Sequence, residues 1–179
     1  YPDKINFGRK KKDISPSELS YSIISQIESL ETIADSYGLE LNHIKAHGAL
    51  YNQMIIDAEL SNFYLDTIKD FKNKCSLYIP YKSEIEKIAL KKGFSIIYEV
   101  FGDRNYNDDL SLVSRNNENA LITDPESVVN HIKTIKETET VKTINGNYKK
   151  IKFDTICIHS DTNNSIEILK KINQEFDES

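Results

Sequence analysis

Two hydrophobic periods alternate along this chain, and that alternation limits its fold more than any other feature. Over residues 16–37, apolar side chains recur at Leu19, Ile23, Ile24, Ile27, Leu30 and Ile33, the three-and-four spacing of an amphipathic helix. Ser15 is placed to cap that helix, Pro16 suits its first position, and Glu18 completes a capping box. Gly38 supplies the stop. The next apolar run, LNHIKAHG, is short and reads as a strand. A helix is expected over about 58–72, a second strand at CSLYIP, and a helix that Ser83 caps and Gly93 ends. SIIYEVF, rich in β-branched and aromatic residues, is a third strand. A long polar loop covers 102–123, and Asp124-Pro125-Glu126 opens a helix to about 136. TVKTINGNYKKIKF reads as a hairpin, with Asn145-Gly146 in a type I′ turn. DTICIH is a fourth core strand, and a last helix is expected over 164–176.

Strand and helix in alternation are the mark of a parallel α/β fold. An open sheet and a (β/α) barrel both satisfy the pattern, and in either one ligands gather at the C-terminal ends of the strands. With 179 residues, a single domain over 1–179 is expected. Its 39% hydrophobic and 28% charged residues allow a sizeable core. The net charge of −5 argues against a nucleic-acid partner, and the one dense cationic run, KINFGRKKK, reads as a solvated loop. No apolar run is long enough to span a bilayer and no signal peptide is recognisable, so a cytoplasmic protein without a membrane partner is expected. Cys75 and Cys157 lie in apolar runs and read as buried thiols rather than a disulfide or a zinc site.

Polar residues collect where the strand-end rule expects them. LNHIKAHG runs into Lys45 and His47, with Tyr51 and Asn52 just beyond. SIIYEVF runs into Glu99, Asp103 and Arg104, and DTICIH ends at His159, Ser160 and Asp161. A lone histidine at a strand end is more often structural than functional, Glu99, Asp103 and Arg104 make an acceptable ion-pair cluster, and Lys45 can snorkel. Their coincidence at one rim favours function, because a core gains nothing from clustered charge. Neutral His can serve as a base, and Lys or Arg can hold a carboxylate or phosphate. His131 reads as surface, and His43 as too far from the rim. His47, His159 and Asp161 do not have the spacing of a recognised metal motif, so no metal ligand is assigned. Neither a P-loop nor a G-x-G-x-x-G turn is present.

Five segments in order resemble the LamB/YcsF family: YPD with FGR, KAHGALYN, EVFGDRNY, LVSR and DTICIHSDT. The resemblance covers essentially the whole chain. The family usually has Pro at Ala46, Ala at Gly102, Pro at Ser114 and Gly at Ser160; the last change adds a Cβ where close approach or positive φ is expected. The resemblance implies a distorted (β/α) barrel of the glycoside hydrolase/deacetylase type. The chain opens at Tyr1 without an initiator Met, and against the family it is expected to lack the first strands, to be weakly stable alone and to have no independent catalysis.

The resemblance also implies ATP-dependent opening of 5-oxoproline to L-glutamate, with ATP and Mg, together with two other 5-oxoprolinase subunits. On that reading His47, Asp103, His159 and Asp161 are the catalytic candidates. Lys45, Tyr51, Asn52, Glu99, Arg104 and Arg115 are the substrate-binding candidates, with Arg115 on a loop that could close over the site. A metal-dependent deacetylase or amide hydrolase and a non-catalytic lactam-binding subunit are the alternatives.

Overall fold

The first helix forms where its caps dictate in the computed structural model of the chain, which describes residues 1–176. α1 (Pro16–Ser36) starts with the expected capping box: the Glu18 amide donates to Ser15 Oγ, and the Ser15 amide donates to the Glu18 carboxylate. It ends in a Schellman motif, with Gly38 at φ +69°, its amide on the Asp35 carbonyl and the Leu39 amide on that of Ala34. The chain divides into two compact units, Tyr1–Ile97 and the stretch from Tyr98 onward.

In the first unit only the opening turns of the α1 stripe are covered. Leu19 and Ile23 are buried, while Leu30 and Ile33 are more than half exposed. β1 is reduced to His43–Ile44, so the expected strand LNHIKAHG is much shorter than its apolar run. Gly48, at φ +62°, turns the backbone into α2 (Gly48–Gln53). That helix has no sequence signal, because its N-cap, His47, makes no side-chain capping bond. α3 (Ala58–Thr67) is capped by Asp57 and gives way to a 3₁₀ turn, Lys69–Phe71, instead of continuing to 72. β2 (Ser76–Ile79) pairs in parallel with β1, His43 opposite Ser76 and Ile44 opposite Leu77. The Leu77 amide donates to the Ser95 carbonyl at the entry to β3 (Ile96–Phe101). α4 (Glu84–Lys92) runs from the Ser83 cap to a left-handed Gly93, as read. Met54, Leu65, Ile68, Leu77 and Ile85 are fully buried in this unit.

In the second unit β3 pairs in parallel with β6 (Thr155–Cys157), in the register Glu99–Thr155, Val100–Ile156 and Phe101–Cys157. α5 (Pro125–Thr138) and α6 (Ser165–Phe176) bury Val128, Ile132 and Ile168, against which Ile156 and Ile158 pack. The long polar loop is ordered by a 3₁₀ turn, Glu118–Ala120, and by antiparallel bridges between Arg104 and Leu121 and between Tyr106 and Leu112. The hairpin joins β4 (Thr140–Lys142) to β5 (Tyr148–Lys150), but its turn is not type I′. Gly146 alone takes positive φ, +81°; its amide reaches the Thr143 carbonyl, and the Thr143 amide reaches Asn147. This is a three-residue loop with a glycine bulge. The Asp108 carboxylate selects it by accepting from Thr143 Oγ1 (2.5 Å), Asn145 Nδ2 (3.0 Å) and Asn147 Nδ2 (3.1 Å).

The pairings bear out the parallel α/β expectation; they do not by themselves make a closed barrel. Cys75 is buried and Cys157 partly buried, and no disulfide joins the two. Among the described residues no helix is long and apolar enough to cross a membrane.

Candidate functional site

The ends of β3 and β6 bring two predicted residues together in the second unit. Asp103 follows β3 and is fully buried. Its carboxylate accepts three kinds of donor: the His159 backbone amide at 3.0 Å, the His159 ring Nδ1–H at 3.0 Å and the Thr162 hydroxyl at 2.5 Å. Burial alone would raise the Asp103 pKa, but the bonds from His159 and Thr162 outweigh it and hold the carboxyl below its ordinary range. Phe101 stacks nearly parallel on the His159 ring, with centroids 5.2 Å apart. Two contacts therefore fix the imidazole, and a carboxylate holds its proton on Nδ1. That leaves Nε2 as the nitrogen to exchange protons, the orientation a general base needs.

The other predictions for this unit fall differently. Arg104 is buried, and its guanidinium donates to the carbonyls of Ala120 (3.2 Å) and Val113 (2.6 Å), tying down the long loop. Glu99 is buried within β3. Asp161 is exposed, with Arg115 at 3.6 Å, so these two predicted residues form a surface ion pair. Ser160 is not among the residues of positive φ. His131, read as surface, is largely buried: it stacks near Tyr106 at 6.3 Å and its Nε2 is shut off from solvent without a hydrogen-bond partner. The helical period hid this, because His131 lies between the core positions Val128, Val129 and Ile132.

Lys45 and His47 lie in the first unit, where α2 meets the loop at residues 7–9. His47 is exposed; its Nε2–H donates to the Phe7 carbonyl at 2.9 Å and its ring meets Phe7 edge-on at 5.3 Å. The Ala49 amide donates to the Gly8 carbonyl, and a Cβ on Gly48 would stand 2.4 Å from that same oxygen. Lys45 Nζ lies 5.9 Å from the Tyr51 ring centroid. Tyr51 is buried and Asn52 exposed, so α2 separates a pair that sequence reading took together. His43 stacks on Tyr78 at 3.7 Å.

A cavity of about 490 Å³ opens beside this junction, lined by Asp3, Phe7, Lys45, His47, Leu50 and Tyr64 among others. That size lies in the range of small-molecule sites. Asp3 is the lining residue that sequence reading passed over. It is 5% exposed, and its Oδ1 accepts from the Asn6 amide (3.1 Å) and side chain (3.0 Å), while Oδ2 is buried with no hydrogen-bond partner. The Asp-x-x-Asn spacing marks the turn, but the sequence holds no sign of the second oxygen's burial. Among the described residues no three His, Cys, Asp or Glu side chains converge as a metal-ligand set.

Comparisons with known proteins agree with this architecture. The A subunit of 5-oxoprolinase from Pyrococcus abyssi is 36% identical over 178 residues, 99% of this chain and 70% of that protein. Its counterpart of the same name from Campylobacter jejuni is 39% identical over 177 residues, 98% of this chain and 69% of its own length. The crystal structure of a lactam utilization protein from Thermus thermophilus superposes with a TM-score of 0.88 at 28% identity, covering 99% of this chain and 71% of that one. The LamB/YcsF family model matches residues 1–179, and the chain belongs to the LamB/YcsF family.

Proposed function

We propose that this chain serves as the subunit of a 5-oxoprolinase whose Asp103–His159 pair handles protons while 5-oxoproline is opened to L-glutamate. The buried carboxylate fixed on His159 Nδ1 is the observation that carries the reading. Relatives named as the A subunit of 5-oxoprolinase support the substrate. A lactam is a stable amide, and ATP, with its Mg, would enter as co-substrate to phosphorylate the ring oxygen. One water then opens the activated ring to an acyl phosphate, and a second releases phosphate, giving glutamate, ADP and phosphate. His159 Nε2 would take the proton of an attacking water and return one to the departing ring nitrogen, with Asp103 stabilising the imidazolium between the two. The reaction would run in an assembly with two other subunits. Arg104 is better suited to holding its loop than a substrate, given its bonds to Ala120 and Val113.

The test is glutamate release from 5-oxoproline by the complete subunit with its partners, with and without ATP. Release that needs ATP and collapses in His159→Ala supports the reading. ATP-independent release, stimulated by a divalent metal, would replace it with the amide-hydrolase alternative. Tight 5-oxoproline binding with wild-type turnover in His159→Ala would reduce this chain to a binding subunit.

A further inference from the structure

Thr162 carries a hydroxyl that the turn around it does not use. Its amide donates to the His159 carbonyl at 3.2 Å and its carbonyl accepts from the Ser165 amide at 3.1 Å, so backbone bonds lead the chain into α6. Thr162 is 3% exposed, and its hydroxyl is committed to Asp103 Oδ2 at 2.5 Å. The same oxygen accepts the His159 amide at 3.0 Å. The ring Nδ1 of His159 stands 3.0 Å from both carboxylate oxygens. Two other donors therefore load Oδ2, while among the described residues Oδ1 accepts from the ring alone. Burial would lift the Asp103 carboxyl, and the bonds from His159 and then Thr162 bring it below its ordinary range. A buried carboxylate that loses a donor attracts a proton more strongly. A group that must take a proton and return one works best when it holds that proton neither tightly nor weakly.

We propose that Thr162 is a positioning residue acting through Asp103: its hydroxyl draws charge onto Oδ2, leaves Oδ1 to the imidazole, and limits how tightly the Asp103–His159 pair keeps a proton. This rests on the reading that the pair handles protons in lactam opening. The other charged and titratable groups nearby are His131 from α5 and Tyr106 from the long loop, both close enough to feel the Asp103 charge, with Glu99 and Arg104 acting on Tyr106. Asp161 and Arg115 face each other at 3.6 Å on the surface. All of these are common to the wild type and a Thr162 variant, so a difference between the two reads the hydroxyl.

The experiment compares wild type, Thr162→Val and Thr162→Ser in the complete subunit with its partners. The proton uptake of the pair is followed by NMR of isotope-labelled histidine, with the His159 signals identified by His159→Gln, and the kcat–pH profile is recorded with 5-oxoproline. Valine keeps the shape of threonine, and its methyl fills the space a replacement water would need. In Thr162→Val the midpoint of the pair should rise by about one pH unit. The acid limb of kcat should move up with it, KM should change little, and Thr162→Ser should restore both. A hydroxyl that only packs the turn would cost stability and leave the midpoint unmoved, and that result overturns the inference. So does a Thr162→Ser variant that titrates like Thr162→Val. If Thr162→Val does not fold, Thr162→Cys, a weak donor, takes its place: a smaller rise supports the inference and an unmoved midpoint overturns it. Absence of turnover in the wild type would sink the 5-oxoproline reading, whereas the ring titration needs no substrate and still decides what the hydroxyl does.

Discussion

His47 and His159 each follow a short parallel strand, and their surroundings make them different instruments. His159 is set between a buried carboxylate and an aromatic face, with Nδ1 committed to Asp103. His47 is exposed and commits Nε2 to a backbone carbonyl, that of Phe7. A carboxylate stabilises the imidazolium that forms when the ring takes a proton; a neutral carbonyl does so much less. The lesson is that residue type and strand-end position give a list of histidines, and only the acceptor behind each ring ranks them.

The sharpest way to break this comparison is to remove the acceptor. Asp103→Asn is expected to lower kcat in the complete, partnered enzyme by about 10³–10⁴-fold, because an amide cannot hold the same tautomer. Steady-state kinetics should show KM little changed. Equal losses in His47→Gln would erase the distinction; we expect less than about tenfold there, since Gln can still donate to the Phe7 carbonyl. Stability separates the regions in the other direction. Gly48→Ala places a Cβ 2.4 Å from the Gly8 carbonyl oxygen at φ +62°, and a loss of about 3 kcal/mol is expected in denaturant unfolding. A wild-type midpoint in that variant would show that the 7–9 loop gives way freely.

Acid titration sharpens the contrast further. Burial lowers the His131 pKa, so the folded state disfavours its proton and stability falls as pH drops below the ordinary 6.5. The Asp103 and Asp108 carboxyls are depressed, Asp103 against its burial through bonds from His159 and Thr162, and Asp108 to about 2 through Thr143, Asn145 and Asn147. Their stabilisation is complete above the ordinary value of 3.8 and is lost as pH falls through the folded values. Two stages of acid destabilisation are expected, and His131→Gln should remove the first alone. The smallest effect belongs to Arg115→Ala: its exposed pair with Asp161 should contribute less than about 1 kcal/mol. A larger loss of activity than of stability there would support Arg115 as a substrate-binding residue.

Much of this fold could be read in advance, wherever a local device decides the outcome. Ser15 with Glu18, Ser83 with Gly93, and Asp124 with Pro125 each set a helix boundary through short-range capping. Reading failed where a distant partner decides. α2 begins at Gly48 in a junction whose other half is the Gly8 loop, forty residues earlier. The Asn145-Gly146 turn takes its bulged form around Asp108, which no local rule includes. The site followed the same division. Asp103 and His159 could be named from their strand ends, whereas the loop-holding bonds of Arg104 and the stranded oxygen of Asp3 depend on neighbours that sequence order does not show.

The Asp103–His159 contact spans 56 residues of chain, and this separation has a kinetic meaning. Helices α5 and α6 can form from neighbours in sequence, within microseconds. The parallel pairing of β3 with β6, which sets Asp103 against His159, needs the whole intervening segment gathered first, and such non-local closures are the slow part of folding. During refolding, helical signal should therefore return well before turnover. For some interval the chain would hold nearly all its secondary structure and none of its chemistry.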